Sequence, residues 1–443
     1  MQNKLSLFPN GTEIDATGQL TLHGHRFSNL AQQFGTPLYV YDVETIRTQI
    51  AVYQQALSRY HGTSHLTYAS KAFQCPALAK LMTAEGVGLD VASAGEIYIA
   101  QQGGANPANM HLHGNNKTPL DLQMALNSGV GRIVVDNADE LNLLTKMAAG
   151  LQQQQQQMKI WLRVTPDVSV ETHHKYTVTG TADSKFGFSL SQVKEVATKI
   201  LAQSDTSPVQ LTGLHIHLGS HFYDAEPVAE ALEVLLDVAI SLSEQFPGWS
   251  LAELCPGGGW GVRYHPTDPP IPIEPFVSGV VAAVEQECKK RGLELPTLIL
   301  EPGRSLVAQA GIAVYTVGGR KVIPNVRTYV SVDGGLADNP RPALYQAQYT
   351  ALLANKAAQP ETETVAIAGP FCESGDVLIR SVDLPLATPG DTLVVPVAGA
   401  YQLAMSSNYN AALKPAVIFI DSDGVKLVQR RETFEDLVRR DMI

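Results

Sequence analysis

Five short stretches hold residues whose chemistry could go beyond structure. Lys71 closes the apolar run of "TYASKAF". "GLHIHLGSH" sets His215 and His217 two positions apart, so in an extended strand both share one face, with Ser220 just beyond. "CPGGGWG" lines up Gly257, Gly258 and Gly259, and "EPGRS" puts the Glu301 carboxylate three positions before the Arg304 guanidinium. "FCESGD" sets the thiol of Cys372 beside the carboxylate of Glu373 in a Gly-containing turn.

Each stretch has a plain reading beside a chemical one. A lysine after a strand is commonly a solvated charge, whereas one at a desolvated site near other cations is a nucleophile for carbonyls. The glycine triplet is a loop or a close-approach cradle whose N–H groups suit phosphate. Glu301 and Arg304 can pair with each other, or serve a protonated ring nitrogen and an anion separately. A histidine in such a run is a satisfied core residue, or a ring laid flat on an aromatic ligand. Cys372 can be inert and buried. "NPRPALY" presents Arg341 between two prolines, and "GAYQLAM" carries Tyr401 past a strand. An anchoring lysine, a phosphate cradle, a ring-facing histidine and a carboxylate for a ring nitrogen together describe bound pyridoxal phosphate.

The elements that position these residues come next. Between about residues 65 and 305, eight β-prone runs alternate with helical patterns: 65–70, 88–93, 109–114, 132–137, 160–165, 211–219, 251–258 and 297–303. That alternation predicts a (β/α)₈ TIM-type barrel, with a doubly wound sheet as the rival. The runs end in Lys71, Ser93, Asn115, Asp136, Thr165, His217 with Ser220, the glycine triplet, and Glu301 with Arg304. Barrel sites gather at the C-terminal ends of strands, so eight such ends favour the barrel. Beyond residue 306 the texture is β-rich with few helical patterns. The expected domains are residues 1–42, strands joining the β domain; 43–305, the barrel; and 306–443, an all-β domain as in alanine-racemase-like architectures. "QQQQQQ" (Gln152 to Gln157) reads as a solvated loop insertion.

Composition sets the outer limits. The 443 residues carry 32 Lys and Arg against 43 Asp and Glu, a formal net charge of −11, which argues against nucleic acid or an anionic membrane as a general partner. No apolar segment reads as a signal peptide or membrane span, and the four scattered cysteines suggest neither a disulfide framework nor a metal site. A cytoplasmic enzyme with free thiols is the expectation.

Taken in order, "YASKAF", "GLDVASAGE", "HGNNK", "DSKFGF", "GLHIHLGSH", "GGGWG", "EPGRS", "VDGGLADNPRPALY", "CESGD" and "GAYQLAMSSNYN" resemble the fold-type III pyridoxal phosphate-dependent decarboxylases. The likeness is greatest to members acting on meso-2,6-diaminopimelate, and it runs from about residue 25 to beyond 425. It implies Lys71 as the covalent anchor of the cofactor and His217 as the residue stacked on its ring. Ser220 with Gly257, Gly258 and Gly259 would serve the phosphate, and Glu301 the ring nitrogen. Asp90, Gly303, Arg304 and Tyr401 join the cofactor-binding set. Arg304, Arg341, Tyr345, Glu373 and Tyr401 are implied to bind substrate. Cys372 is the implied proton donor, contributed with Glu373 by the second subunit of a homodimer. Phe73, His221 and the Cys255–Pro256 pair depart from the commoner residues at their positions. The implied reaction releases CO₂ and L-lysine as the last step of lysine biosynthesis. Alternatives are a sister decarboxylase for another amino acid or carboxynorspermidine, a racemase, and a catalytically dead relative that only binds.

Overall fold

The computed structural model describes residues 2–152, 156–168, 180 and 183–442. The chain divides into two compact units. One comprises residues 50–261 and 271–303; the other comprises residues 1–49, 262–270 and 304–443.

The first unit is a closed barrel of eight parallel strands, Ser64–Ala69, Gly88–Val91, Met110–Leu112, Arg132–Val135, Met158–Arg163, Val209–His215, Glu253–Cys255 and Thr297–Leu300. The eighth strand pairs with the first, Leu298 opposite Ser64 and Leu300 opposite Leu66, which closes the ring and excludes the doubly wound rival. Helices cover the outside, so the strands read as near-continuous apolar runs rather than alternating ones. The helices carry their own stop and start signals. Thr118 and Asp121 form a reciprocal capping box ahead of Pro119–Ser128, and Gly129 ends that helix in the left-handed conformation. Ile273–Arg291 finishes on Lys289, Lys290 and Arg291 before a left-handed Gly292, which places cations at the negative end of the helix dipole.

Several strands are shorter than their β-prone runs; the third spans only Met110–Leu112 and the eighth stops at Leu300. The residues beyond leave the ladder and become the loops at the C-terminal mouth. Inside the barrel, Val134, Trp161, Cys255 and Ile299 pack together. Glu253, the first residue of the seventh strand, accepts from the Trp161 indole at 2.8 Å, from Thr212 at 2.7 Å and from Arg132 at 2.9 Å.

The second unit is built on a nine-stranded sheet. Leu38–Asp42 lies between Gly311–Ile323, antiparallel, and Ala416–Asp421, parallel. Its core is aliphatic and aromatic, with Leu38, Val40, Ile312, Val314, Val394, Ile418 and Phe27 fully buried. Residues 262–270 cluster with this sheet unit, although in sequence they lie between the seventh and eighth barrel strands. Of the glutamine run, Gln153 to Gln155 lie outside the described residues; the Gln157 amide donates to the carbonyls of Ser204 and Ser207. Among the described residues no helix is long and apolar enough to cross a membrane.

Candidate active site

The first barrel strand runs straight into a tight turn, Ser70–Ala72, that carries Lys71. Lys71 is solvent-exposed in this chain, while Ser70 and Ala72 on either side are buried. Its charge is nonetheless felt at Asp90, Glu96 and His217. The turn is clamped by Tyr68, whose hydroxyl donates to the Phe73 carbonyl at 2.6 Å and accepts from the Phe73 N–H at 3.1 Å. The Phe73 side chain is buried, so this departure supplies packing beneath the turn rather than a group for chemistry. Gly303 completes the support. A Cβ there would lie 3.0 Å from Ala69 Cβ and 3.2 Å from Ala72 Cβ, and the Ala69 N–H donates to the Pro302 carbonyl at 3.1 Å.

Glu301, just past the eighth strand, is buried and enclosed by histidines. Its Oε1 meets His113 Nε2 at 3.0 Å and His111 Nδ1 at 3.4 Å, and its Oε2 meets His215 Nε2 at 3.1 Å. Burial opposes the charge, yet His113 and His215 with the hydrogen bonds hold this carboxyl well below the usual carboxylate range. The histidines divide their roles. Burial pushes His215 down to about 3, so it is neutral and donates from Nε2. His113 also faces Asp90 at 3.7 Å, and the two carboxylates outweigh burial and raise it. Burial pushes Asp90 up, with His113 opposing. His113, His215 and Glu301 offer ligand atoms within 4.8 Å of one another, close enough to share a cation, but hydrogen bonds already satisfy the carboxylate.

The glycine triplet is required by crowding. Gly257 and Gly259 have φ of +78° and +97°. A Cβ would lie 2.6 Å from the Ile216 carbonyl at Gly257, 2.1 Å from the Glu301 carbonyl at Gly258, and 2.2 Å from the Gly219 carbonyl at Gly259. The triplet thus lets the loops after strands six, seven and eight close on one another. The Gly258 N–H donates to His217 Nδ1 at 3.5 Å, and burial with the Lys71 charge keeps this half-buried imidazole well below its ordinary pKa, hence neutral. Ser220 lies half-buried in the same stretch. An amine at a strand end, a neutral flat ring, a carboxylate held charged and a glycine-lined backbone fit pyridoxal phosphate.

The other sequence-selected residues belong to the sheet unit. Arg304 and Arg341 are buried. Arg304 donates to the Tyr264 hydroxyl at 2.7 Å and lies 4.6 Å from the Tyr401 ring centroid. Arg341 hydrogen-bonds the Tyr349 hydroxyl. Tyr345 is half-buried, and Tyr401 is held at φ +59°, a left-handed conformation rare for a ring-bearing residue. Cys372 and Glu373 are exposed, unlike Cys75, Cys255 and Cys288. The last residue of "CESGD" is structural: Asp376 accepts from the N–H groups of Leu336 and Phe371 at 2.7 and 2.8 Å. Asp338 does similar work, accepting from Tyr315 at 2.7 Å, Tyr39 at 3.0 Å and the Gly335 N–H at 2.7 Å.

Four residues of these clusters were not singled out by sequence: His111, His113, Tyr264 and Tyr349. "MHLHG" repeats the two-residue histidine spacing of "HIHLG", and that alternation is the signal that could have found the first two. The tyrosines sit in irregular segments with no periodic signal.

Residues 43–308 match the family model for the pyridoxal-dependent decarboxylase, pyridoxal binding domain. The chain is 42% identical to the diaminopimelate decarboxylase of Bacillus subtilis over 440 residues, 98% of each chain. It is 41% identical to that of Halalkalibacterium halodurans, again covering 98% of both. Among solved structures, the diaminopimelate decarboxylase of M. jannaschii in complex with L-lysine superposes with a TM-score of 0.89 at 32% identity, covering 98% of both chains. The Helicobacter pylori diaminopimelate decarboxylase complexed with L-lysine gives 0.83 at 29% identity, covering 94% of this chain and 98% of that one. The chain thus belongs to the diaminopimelate decarboxylase family of pyridoxal phosphate-dependent enzymes.

Proposed function

We propose that the protein decarboxylates meso-2,6-diaminopimelate to L-lysine and CO₂, the last step of lysine biosynthesis, in the cytoplasm and as a homodimer. The observation that carries the reading is Glu301, a buried carboxylate held charged by His113 and His215 among the strand ends that bear Lys71 and the glycine triplet. Bound pyridoxal phosphate draws electrons from the substrate α-carbon, which lets the carboxyl group leave as CO₂.

The chain's own residues do the rest. Lys71 is the covalent anchor and, when displaced, a base near the reacting carbon. Glu301 would hold a protonated ring nitrogen, because a carboxylate held far below its ordinary pKa stays ionised. His217, neutral and tied by the Gly258 N–H, would be the residue that holds the ring, without competing for that proton. Ser220, Gly257, Gly258 and Gly259 would serve the phosphate, with Asp90 and Gly303 in the cofactor-binding set and Tyr401 as a further cofactor- and substrate-binding residue.

Substrate choice follows from charge. Ornithine-like substrates end in an ammonium and want carboxylates around it, whereas diaminopimelate ends in an ammonium and a carboxylate. Arg304 and Arg341, with Tyr345, suit the distal carboxylate; a buried arginine left without its anion penalises substrates that lack one. The partner subunit's Glu373 suits the distal ammonium, and the partner subunit's Cys372 returns the proton. Their exposure in the single chain, with the half-exposed Tyr409 donating to the Cys372 carbonyl, supports a covering subunit.

The test is a substrate panel on purified protein with spectra. Turnover of meso-diaminopimelate far above ornithine is expected, together with a visible cofactor band that Lys71→Ala loses. Equal or better turnover of ornithine would overturn the substrate assignment.

A further inference from the structure

The two buried guanidiniums of the sheet unit are surrounded by phenols. Tyr264 touches both: its hydroxyl accepts from Arg304 at 2.7 Å, and its ring face lies 4.4 Å beneath the Arg341 guanidinium. Tyr349 meets the Tyr264 ring edge-on at 5.4 Å, and Tyr401 covers Arg304 on another side at 4.6 Å. A carboxylate in place of Tyr264 would neutralise a guanidinium in a buried ion pair. A phenol orients the charge through a hydrogen bond and a π face and leaves it positive. Tyr264 is itself held by a built turn. Its N–H and that of His265 donate to Asp268 Oδ2 at 2.8 and 2.9 Å, and Arg263 closes the same turn onto the Asp268 and Pro266 carbonyls at 3.1 Å each.

We propose that Tyr264 is a positioning residue for substrate specificity, holding Arg304 and Arg341 in one arrangement that receives the distal carboxylate. The inference rests on the assignment of that carboxylate to the two arginines. Like charges this close splay apart unless a neutral group attracts both, and the hydroxyl and ring of one tyrosine do so from two directions. The arrangement also makes carboxylate affinity depend on the hydroxyl remaining neutral. Burial disfavours its ionisation, but the two guanidiniums prevail and hold this phenol below the usual range. Tyr349, pushed up by burial, ionises later. The groups facing the hydroxyl are Arg304, Arg341 and Tyr349, with His265 and Asp268 on its own turn. Once ionised, Tyr264 cancels one of the two positive charges, so KM rises with pH.

The experiment compares wild-type holoenzyme with Tyr264→Phe and Arg341→Lys on meso-diaminopimelate between about pH 7 and pH 10, the range that brackets a lowered phenol. Phenylalanine keeps the ring under Arg341 and removes only the hydroxyl. The expected result for Tyr264→Phe is a KM about tenfold higher at neutral pH with kcat and cofactor absorbance unchanged, as for a lost hydrogen bond to a charged binding group. The alkaline rise of KM in the wild type should flatten in this variant; titrations common to both proteins cancel. An unchanged KM at neutral pH, or the same alkaline rise in both, overturns the inference. If Arg341→Lys also leaves KM unchanged, the carboxylate assignment itself fails; if Arg341→Lys raises KM and Tyr264→Phe does not, only the role of Tyr264 fails. Should Tyr264→Phe not fold, a fluorotyrosine at position 264 acidifies the phenol with the ring retained and must move the alkaline rise to lower pH; an unmoved rise overturns the inference.

Discussion

Lys117, in "HGNNK", offers a prediction whose size follows from the structure. Its ammonium has three protons and three acceptors: Glu140 Oε1 at 2.8 Å, the Gly114 carbonyl at 2.8 Å and the Val134 carbonyl at 2.6 Å. Its side chain is 1% exposed and that of Glu140 is 3% exposed. The lysine thereby ties the loop after the third strand, which carries His113, to the fourth strand. Burial drives the lysine down and the glutamate up, so each charge is costly without the other. Lys117→Met keeps the stem and strands a buried carboxylate, a loss of about 3–5 kcal/mol. Replacing both charges, Lys117→Met with Glu140→Leu, removes the stranded charge and should recover most of that loss. Chemical denaturation of the wild type, both single variants and the double variant measures the coupling. A single-variant loss below about 1 kcal/mol, or a double variant no more stable than Lys117→Met, would refute the reasoning. Cofactor retention should fall in the single variant and return in the double.

Other perturbations test the remaining supports. Gly258→Ala forces a methyl to within 2.1 Å of the Glu301 carbonyl, so the loops must part; a loss of about 1–3 kcal/mol in stability with weakened cofactor retention on dialysis is expected. His113 is raised in the folded state, so its stabilising contribution is complete below its ordinary pKa and fades as pH climbs through the raised value; the stability gap between wild type and His113→Gln in thermal melts should narrow on the alkaline side. Burial pushes Asp338 up to about 6, so its own contribution to stability falls as pH rises from about 4 to 7. Asp338→Asn should lack that slope, a relative change of about 3 kcal/mol in denaturation curves.

The sequence determined a good deal alone, because local patterns carry it. Alternating β-prone and helical runs with polar ends favour a barrel over a doubly wound sheet, and the pairing of the eighth strand with the first excludes that rival. The positions of Lys71, His217, the glycine triplet and Glu301 after successive strands follow from that register. Tertiary structure decided what depends on approach between distant segments. That the three glycines are needed for close packing turned on the carbonyls of Ile216, Gly219 and Glu301 lying where a Cβ would be. Sequence left the partners of Glu301 open, and the fold put three histidines from two other strands against it. Phe73 looked anomalous beside Lys71, but its backbone is what Tyr68 grips. Tyr264 carried no signal, because irregular segments have no period to read and its role exists only where Arg304 and Arg341 converge on it. Periodicity is a property of neighbours along the chain; charge pairing and close packing belong to neighbours in space.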